Sequence, residues 1–202
     1  MANTQAQFGF QHIGYLGGAA PDYAPTRRMI QSSYATSIFF GDPVIKSAAT
    51  PYIQAITGTA LVTTIIAGIF QGCTYIPKGQ SAPVSSPWFP GAAAQADATA
   101  LIIDSPHAIF RVAALLTAIP SSAVGNNIAW STGAGGTTFG AGFSTFTVDQ
   151  SQIATTSTLP FTIVDMWSAR AVGNGSDNTT NFNWVVVTFN NQQLQSGQSG
   201  VA

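Results

Sequence analysis

The sequence predicts an all-β fold: one sandwich or barrel of about eight to ten strands behind an extended N-terminal arm. Three observations predict it. The 202-residue chain has two Lys and no Glu, so it lacks the residues that cover exposed helix faces. Its polar positions are filled by Thr, Ser, Asn and Gly, which favour strands and turns. Its apolar residues gather in short β-branched and aromatic runs, punctuated by 20 Gly and 11 Pro.

The elements follow in order. Residues 1–32 hold no sustained period, only Gly, Pro and the single aromatics Phe8, Phe10, Tyr15 and Tyr23, a spacing that suits an arm pinned across a surface or a loop packed on its own domain. A β-rich domain is expected over 33–194. Tyr34 to Phe40 is a β-type run closed by Gly41-Asp42-Pro43, and Val44-Ile45 opens the next strand. Thr59 to Phe70 reads as one long strand or two kinked at Gly68, continued by Thr74 to Ile76. The Pro-rich 79–98 stretch reads as a loop. Thr99 to Asp104 and Ala108 to Val112, around Ser105-Pro106-His107, read as a hairpin. Ala113 to Ile119 is a strand or one helical turn. After a polar, Gly-rich stretch come strands at Phe143 to Val148, Phe161 to Trp167 and Trp184 to Phe189. The last two form a hairpin with its tip at Asn174-Gly175. Residues 195–202 read as a frayed tail.

Charge narrows the function. Only 6% of residues are charged, with a net charge of −1, against roughly a quarter in ordinary soluble domains. Six basic residues cannot neutralise a phosphate backbone, so direct nucleic-acid binding is not expected. The N-terminus has neither the basic start nor the apolar run of a signal peptide. The apolar stretch from Ala60 to Phe70 falls short of the ~20 residues a membrane helix needs. A protein made in the cytoplasm, soluble and without membrane contact, is the expectation.

Catalytic chemistry finds little footing. The seven Asp are isolated, most beside Gly, Pro or Ser, where Asp serves turns. His107 follows Asp104 by three residues across Pro106, a place for surface hydrogen bonding more than for a general base. His12 sits in the arm. Two His without a carboxylate cluster, and the single Cys73 beside Gly72, give no metal or cofactor site and no disulfide. The Gly-rich stretch at 133–142 lacks the Lys of a phosphate-binding loop. No catalytic, cofactor or metal residue is assigned.

What remains is the vocabulary of interaction. Arg27-Arg28 is the only basic pair; it either clamps a partner's carboxylates or carbonyls or tethers to Asp22. Trp88-Phe89, held between Pro87 and Pro90, is either an interface anchor or a loop folded back on the barrel. With the arm aromatics, the partner-binding candidates are Phe8, Phe10, Tyr15, Tyr23, Arg27, Arg28, Trp88 and Phe89. Near-zero net charge favours association, so much of the surface is expected to be covered by partners.

An ordered series of motifs resembles a known family. It runs from Gly9-Phe10 through Tyr34 to Ile38 and Gly41-Asp42-Pro43-Val44. The apolar strand from Ile66 to Tyr75 follows, ending in Gly72-Cys73-Thr74-Tyr75. Then come Trp88-Phe89-Pro90-Gly91, Ala100 to Phe110, Leu159-Pro160-Phe161 to Val164, and Trp184 to Asn191. Together these resemble the capsid cement or decoration proteins of tailed bacteriophages, over most of the chain, with a longer insert at 78–88. The resemblance implies a non-enzymatic virion protein on the capsid surface that binds the major capsid protein and bridges neighbouring coat subunits. Shell symmetry favours a homo-oligomer, a trimer ahead of a dimer. An arm that docks predicts that deleting residues 2–25 leaves a folded domain unable to attach. The alternative is a virion-surface carbohydrate- or receptor-binding module using Trp88, Trp130 or Trp167.

Overall fold

The computed structural model describes residues 3, 7–18, 25–56, 64–92, 94–131, 142–167, 177–195, 197 and 199–200. Within them the strands are β1 Gln11–Tyr15, β2 Thr26–Ile30, β3 Pro43–Lys46, β4 Ile53–Ala55, β5 Gly68–Tyr75, β6 Val84–Ser86 and β7 Ala98–Ile103. They continue as β8 Ala108–Ala113, β9 Asn127–Ile128, β10 Trp130–Ser131, β11 Thr147–Val148, β12 Phe161–Met166 and β13 Trp184–Phe189. Single 3-10 turns at Ser121–Ala123 and Gln150–Gln152 are the only helical elements among the described residues. None is long and apolar enough to cross a membrane.

Eight of the strands have four or more residues, and the other five have two or three. The short ones exceed the sequence expectation because so few residues carry no readable period. A five-stranded sheet has the order β1-β8-β13-β12-β9, and a second has β2-β7-β5-β3-β4 with β6 added on β5. β10 and β11 make a separate ribbon. All pairings between these strands are antiparallel. The fold is all-β and sandwich-like, and neither sheet closes into a barrel.

Two apolar cores explain the long apolar runs. Ile69 and Ile103 join a core with Phe110, Phe161, Val187 and Trp130. Their neighbours Phe70 and Ile102 join another with Ile30, Val44 and Phe89. Because side chains alternate along a strand, β5 and β7 are buried on both faces where they run between the two cores, at Ile69-Phe70 and Ile102-Ile103, and lose there the apolar–polar alternation of a half-exposed strand. Gly68 lies under β7, where a Cβ would meet Ile103 O at 2.6 Å. Gly72 marks a bulge in the β5–β7 register at φ +132°, and a Cβ there would come within 2.9 Å of Ser86 O.

Three expectations change. The 98–113 stretch is no hairpin: β7 pairs with β2 and β5, whereas β8 pairs with β1 and β13 in the other sheet. Ser105-Pro106-His107 is a corner between sheets, which shares its short Pro-bearing sequence with a hairpin loop. The N-terminal arm is built into the domain, β1 as an edge strand on β8 and β2 as an edge strand on β7. The physical reason is burial: Phe10 and Ile30 are both 0% exposed, and their apolar surface is best satisfied by the cores beside them. Further out, Asn3 Nδ2 donates to Asp177 O at 2.8 Å. The tail is tied at Gly200, whose N–H donates to Thr155 O at 2.9 Å.

The terminal hairpin is present, with β12 pairing β13 from Phe161↔Phe189 to Met166↔Val185. Its tip at Asn174-Gly175, residues 59–63 of the long-strand expectation, and 133–141 of the Gly-rich stretch lie outside the described residues. Tyr34 to Phe40 makes only isolated bridges, Ile38 with Phe89 and Phe40 with Phe143. The 79–98 loop contributes β6.

Candidate interaction surfaces

Most of the expected aromatic anchors are turned inward. Phe10 stacks on Phe161 with ring centres 4.5 Å apart and meets Phe110 edge-on at 6.5 Å. Phe89 is 0% exposed, and its backbone exchanges hydrogen bonds with Ile38 at 2.8 and 3.0 Å. Neither residue can anchor a partner. Trp88 is half-buried and lies parallel to Phe39 at 5.8 Å. The Pro-Trp-Phe-Pro loop is thus folded back on its own domain, because the prolines hold the pair extended against Ile38. Tyr15 is half-buried, edge-on to His12 at 5.0 Å. Tyr23 lies outside the described residues.

Phe8 belongs to a feature no local sequence signal revealed. On the five-stranded sheet, strand register sets Gln11 and Val186 on either side of Arg111. The Arg111 guanidinium carbon lies 4.8 Å from the ring centres of both Trp167 and Trp184 and 5.2 Å from that of Phe8. Phe8 and Trp184 also meet edge-on at 4.9 Å. Arg111 donates through an NH2 nitrogen to the Gln11 amide oxygen. No carboxylate pairs with it among the described residues. Its Nε and the two indole Nε1 atoms are buried without acceptors there. Burial pulls the guanidinium pKa below its ordinary value. Three π faces stand where a counter-ion would otherwise be.

The two edges of the second sheet border a groove. Arg28 from β2, Lys46 from β3, and Pro51 and Ile53 at β4 line about 220 Å³ together with Gln193. Gln193 continues into a neighbouring groove of about 310 Å³, which holds Ile65 and Leu194. Asp104 joins the two halves: its carboxylate takes Arg28 at 2.8 Å and the Thr26 hydroxyl at 2.6 Å, and its carbonyl takes Gln192 Nε2 at 2.8 Å. Arg28 tethers to Asp104, while Arg27 is exposed on the opposite side of β2; Asp22, the partner expected from sequence, lies outside the described residues. Asp97, at the other end of β7, accepts from Tyr52 Oη at 2.6 Å and Ser32 N at 2.9 Å. Those bonds hold its carboxyl below the usual range, with the tyrosine hydroxyl the largest cause. Lys46 is exposed and has no acidic partner among the described residues.

Two titratable groups are sealed inside. Asp42 is 4% exposed; burial pushes its carboxyl up to about 6, while the Phe39 N–H, 2.8 Å from Oδ2, and the Ser144 hydroxyl pull the other way. Cys73 is 2% exposed, donates weakly to Trp88 O at 3.5 Å, and has its thiol pushed up to about 12 by burial. His107 is exposed, and the Asp104 carboxylate is committed to Thr26 and Arg28. Among the described residues no three His, Cys or Asp side chains gather as a metal site. Compared with family models, curated proteins and solved structures, the chain matches none.

Proposed function

We propose that this chain is a virion structural protein, held on the outside of a phage capsid by the major capsid protein and bridging neighbouring coat subunits. The observation that carries the reading is the balance of the exposed surface. Seven large apolar side chains stand out among the described residues: Leu16, Met29, Ile65, Leu116, Val124, Phe143 and Leu194, at 39 to 64% exposure. Only five charged ones do: Arg27, Lys46, Lys78, Asp97 and Asp165. A surface with more exposed large hydrophobes than charges suits permanent coverage by partners. The resemblance of the motif series to capsid cement proteins supports the coat as that partner.

The mechanism is linkage. A protein that binds only the assembled lattice stabilises it against its parts, and many weak contacts add through multivalency. The carbohydrate-binding alternative fares worse. Trp130 is 0% exposed, the Trp167 ring is covered by Arg111 and the Trp88 ring by Phe39. As a homo-oligomer, a trimer on a local three-fold axis is preferred to a dimer.

Heads assembled without the protein test the reading. Added protein should bind them and raise the temperature at which DNA is released; no binding, or binding to host glycans instead, overturns it. Mass measurement over a dilution series tests the trimer, which a stable dimer refutes.

A further inference from the structure

We propose that the Asp42–Pro43 peptide bond is a self-cleavage site, broken by the Asp42 carboxyl group in mildly acidic solution. This goes beyond the capsid reading and does not depend on it. The bond is the only Asp-Pro linkage in the chain. Its attacking group is built in, because the carboxyl reaches its own residue's carbonyl carbon by closing a five-membered ring. The fold adds the rest. Oδ2 accepts the Phe39 N–H at 2.8 Å, whereas Oδ1 is buried with no hydrogen-bond partner. Holding the 39–42 turn needs only the first oxygen, and the second is left free to react. The Asp42 carbonyl oxygen accepts the N–H of the fully buried Phe70 at 2.8 Å. That donor sits where negative charge develops as the carbonyl is attacked. Pro43 has no N–H, so no hydrogen bond from its nitrogen ties the leaving group into the sheet.

The step balances with water alone. With Oδ2 accepting from Phe39, the proton of the neutral carboxyl sits on Oδ1. Oδ1 attacks the carbonyl carbon as that proton passes to the Pro43 nitrogen. The C–N bond breaks, Pro43 leaves as a secondary amine, and a cyclic anhydride remains on Asp42, which water opens to two carboxyl groups. Only the protonated carboxyl carries the proton that the leaving nitrogen needs. Burial raises the Asp42 carboxyl to about 6 from the ordinary 3.8. At pH 5 about nine-tenths of folded chains would therefore hold the proton, against about one-sixteenth of unfolded ones. The groups acting on the carboxyl are the Phe39 N–H of its own turn and the Ser144 hydroxyl of the 142–148 segment, with no charged side chain among the causes of the shift. From β5, Phe70 brings a backbone N–H and an apolar ring.

Mass spectrometry of the full chain, incubated at about 37 °C and denatured before measurement, provides the test. Denaturation is needed because β1 and β2 hold residues 1–42 to β8 and β7 after the bond is cut. At pH 5 the folded chain should yield fragments 1–42 and 43–202 at least about tenfold faster than the same chain in urea at that pH. Above about pH 6 the rate should fall by about tenfold per pH unit. Asp42→Asn should leave the bond intact, and the folded-against-unfolded comparison decides the matter even where that variant does not fold. A folded chain that stays whole, or fragments that persist in Asp42→Asn, overturn the proposal. So does cleavage no faster in the folded chain than in the unfolded one, which is the ordinary acid lability of an Asp-Pro bond.

Discussion

Phe10 and Phe161 stack with ring centres 4.5 Å apart and planes 21° apart, joining the N-terminal segment to the first strand of the terminal hairpin. Both are 0% exposed. Phe10 thus completes the core of the domain, with Tyr15 packed against it. Phe10→Ala should cost about 3–5 kcal/mol, the range for truncating a buried aromatic, measured by urea unfolding. Deleting residues 2–25 should abolish cooperative unfolding, where a free arm would leave a folded domain. A deletion variant that unfolds like the full chain would refute this.

Asp42 gives the stability a pH dependence with a definite sign. Its folded pKa, raised to about 6, lies above the ordinary 3.8, so the folded state binds its proton more tightly. Stability should therefore rise as pH falls from about 7 to about 4, by up to about 3 kcal/mol from this group. Below that window Asp97 and Asp177 act oppositely: hydrogen bonds from Tyr52 and Thr179 hold their carboxyls low, and protonation removes that help. Urea midpoints measured across pH 4 to 8 check the slope. Asp42→Asn should flatten it, and an unchanged slope would assign it to other groups.

What was legible in the sequence was what short-range chemistry determines. The all-β class followed from residue supply, and the terminal hairpin from two strong β runs, Phe161 to Trp167 and Trp184 to Phe189. The connection after β7 was not legible, because four residues around a proline serve a hairpin or a corner equally. Which one forms depends on whether β8 finds β7 or β13 beside it. β1 and β2 escaped detection because Gln-His-Ile-Gly-Tyr and Thr-Arg-Arg-Met-Ile carry little β signal; their partners, 68 or more positions away, hold them. The same distance hid the Arg111 cluster, whose members span Phe8 to Trp184. Trp88-Phe89 was ambiguous for another reason: rigid aromatics suit a partner's pocket and the chain's own core equally well.

Cys73 should be chemically silent in the native protein. The thiolate is the reactive form, and burial raises the thiol to about 12 at 2% exposure. At pH 8 a thiol-reactive chromogenic disulfide should label the folded chain at a rate set by unfolding, and label the urea-unfolded chain at once. Fast stoichiometric labelling of the folded protein would show a mobile β5.

Arg111 makes the sharpest prediction, because the formally conservative replacement should be the worse one. The guanidinium carbon lies 4.8 Å from the ring centres of both Trp167 and Trp184, and the group donates to Gln11. An ammonium at this half-buried place is a more strongly hydrated point charge that cannot stack, and no carboxylate among the described residues compensates it. Arg111→Lys should cost about 1–2 kcal/mol through lost cation–π and hydrogen-bond contacts. Arg111→Met keeps a long side chain between the rings and removes the charge that burial opposes, so it should cost less. Tryptophan emission offers an independent reading: the lysine variant should red-shift as Trp167 and Trp184 gain solvent, against a constant background from the half-buried Trp88 and the buried Trp130. Urea midpoints in the order wild type, methionine, lysine support the cage; lysine at or above methionine would mean that the charge, and not the stacked plane, is what the three aromatic rings hold.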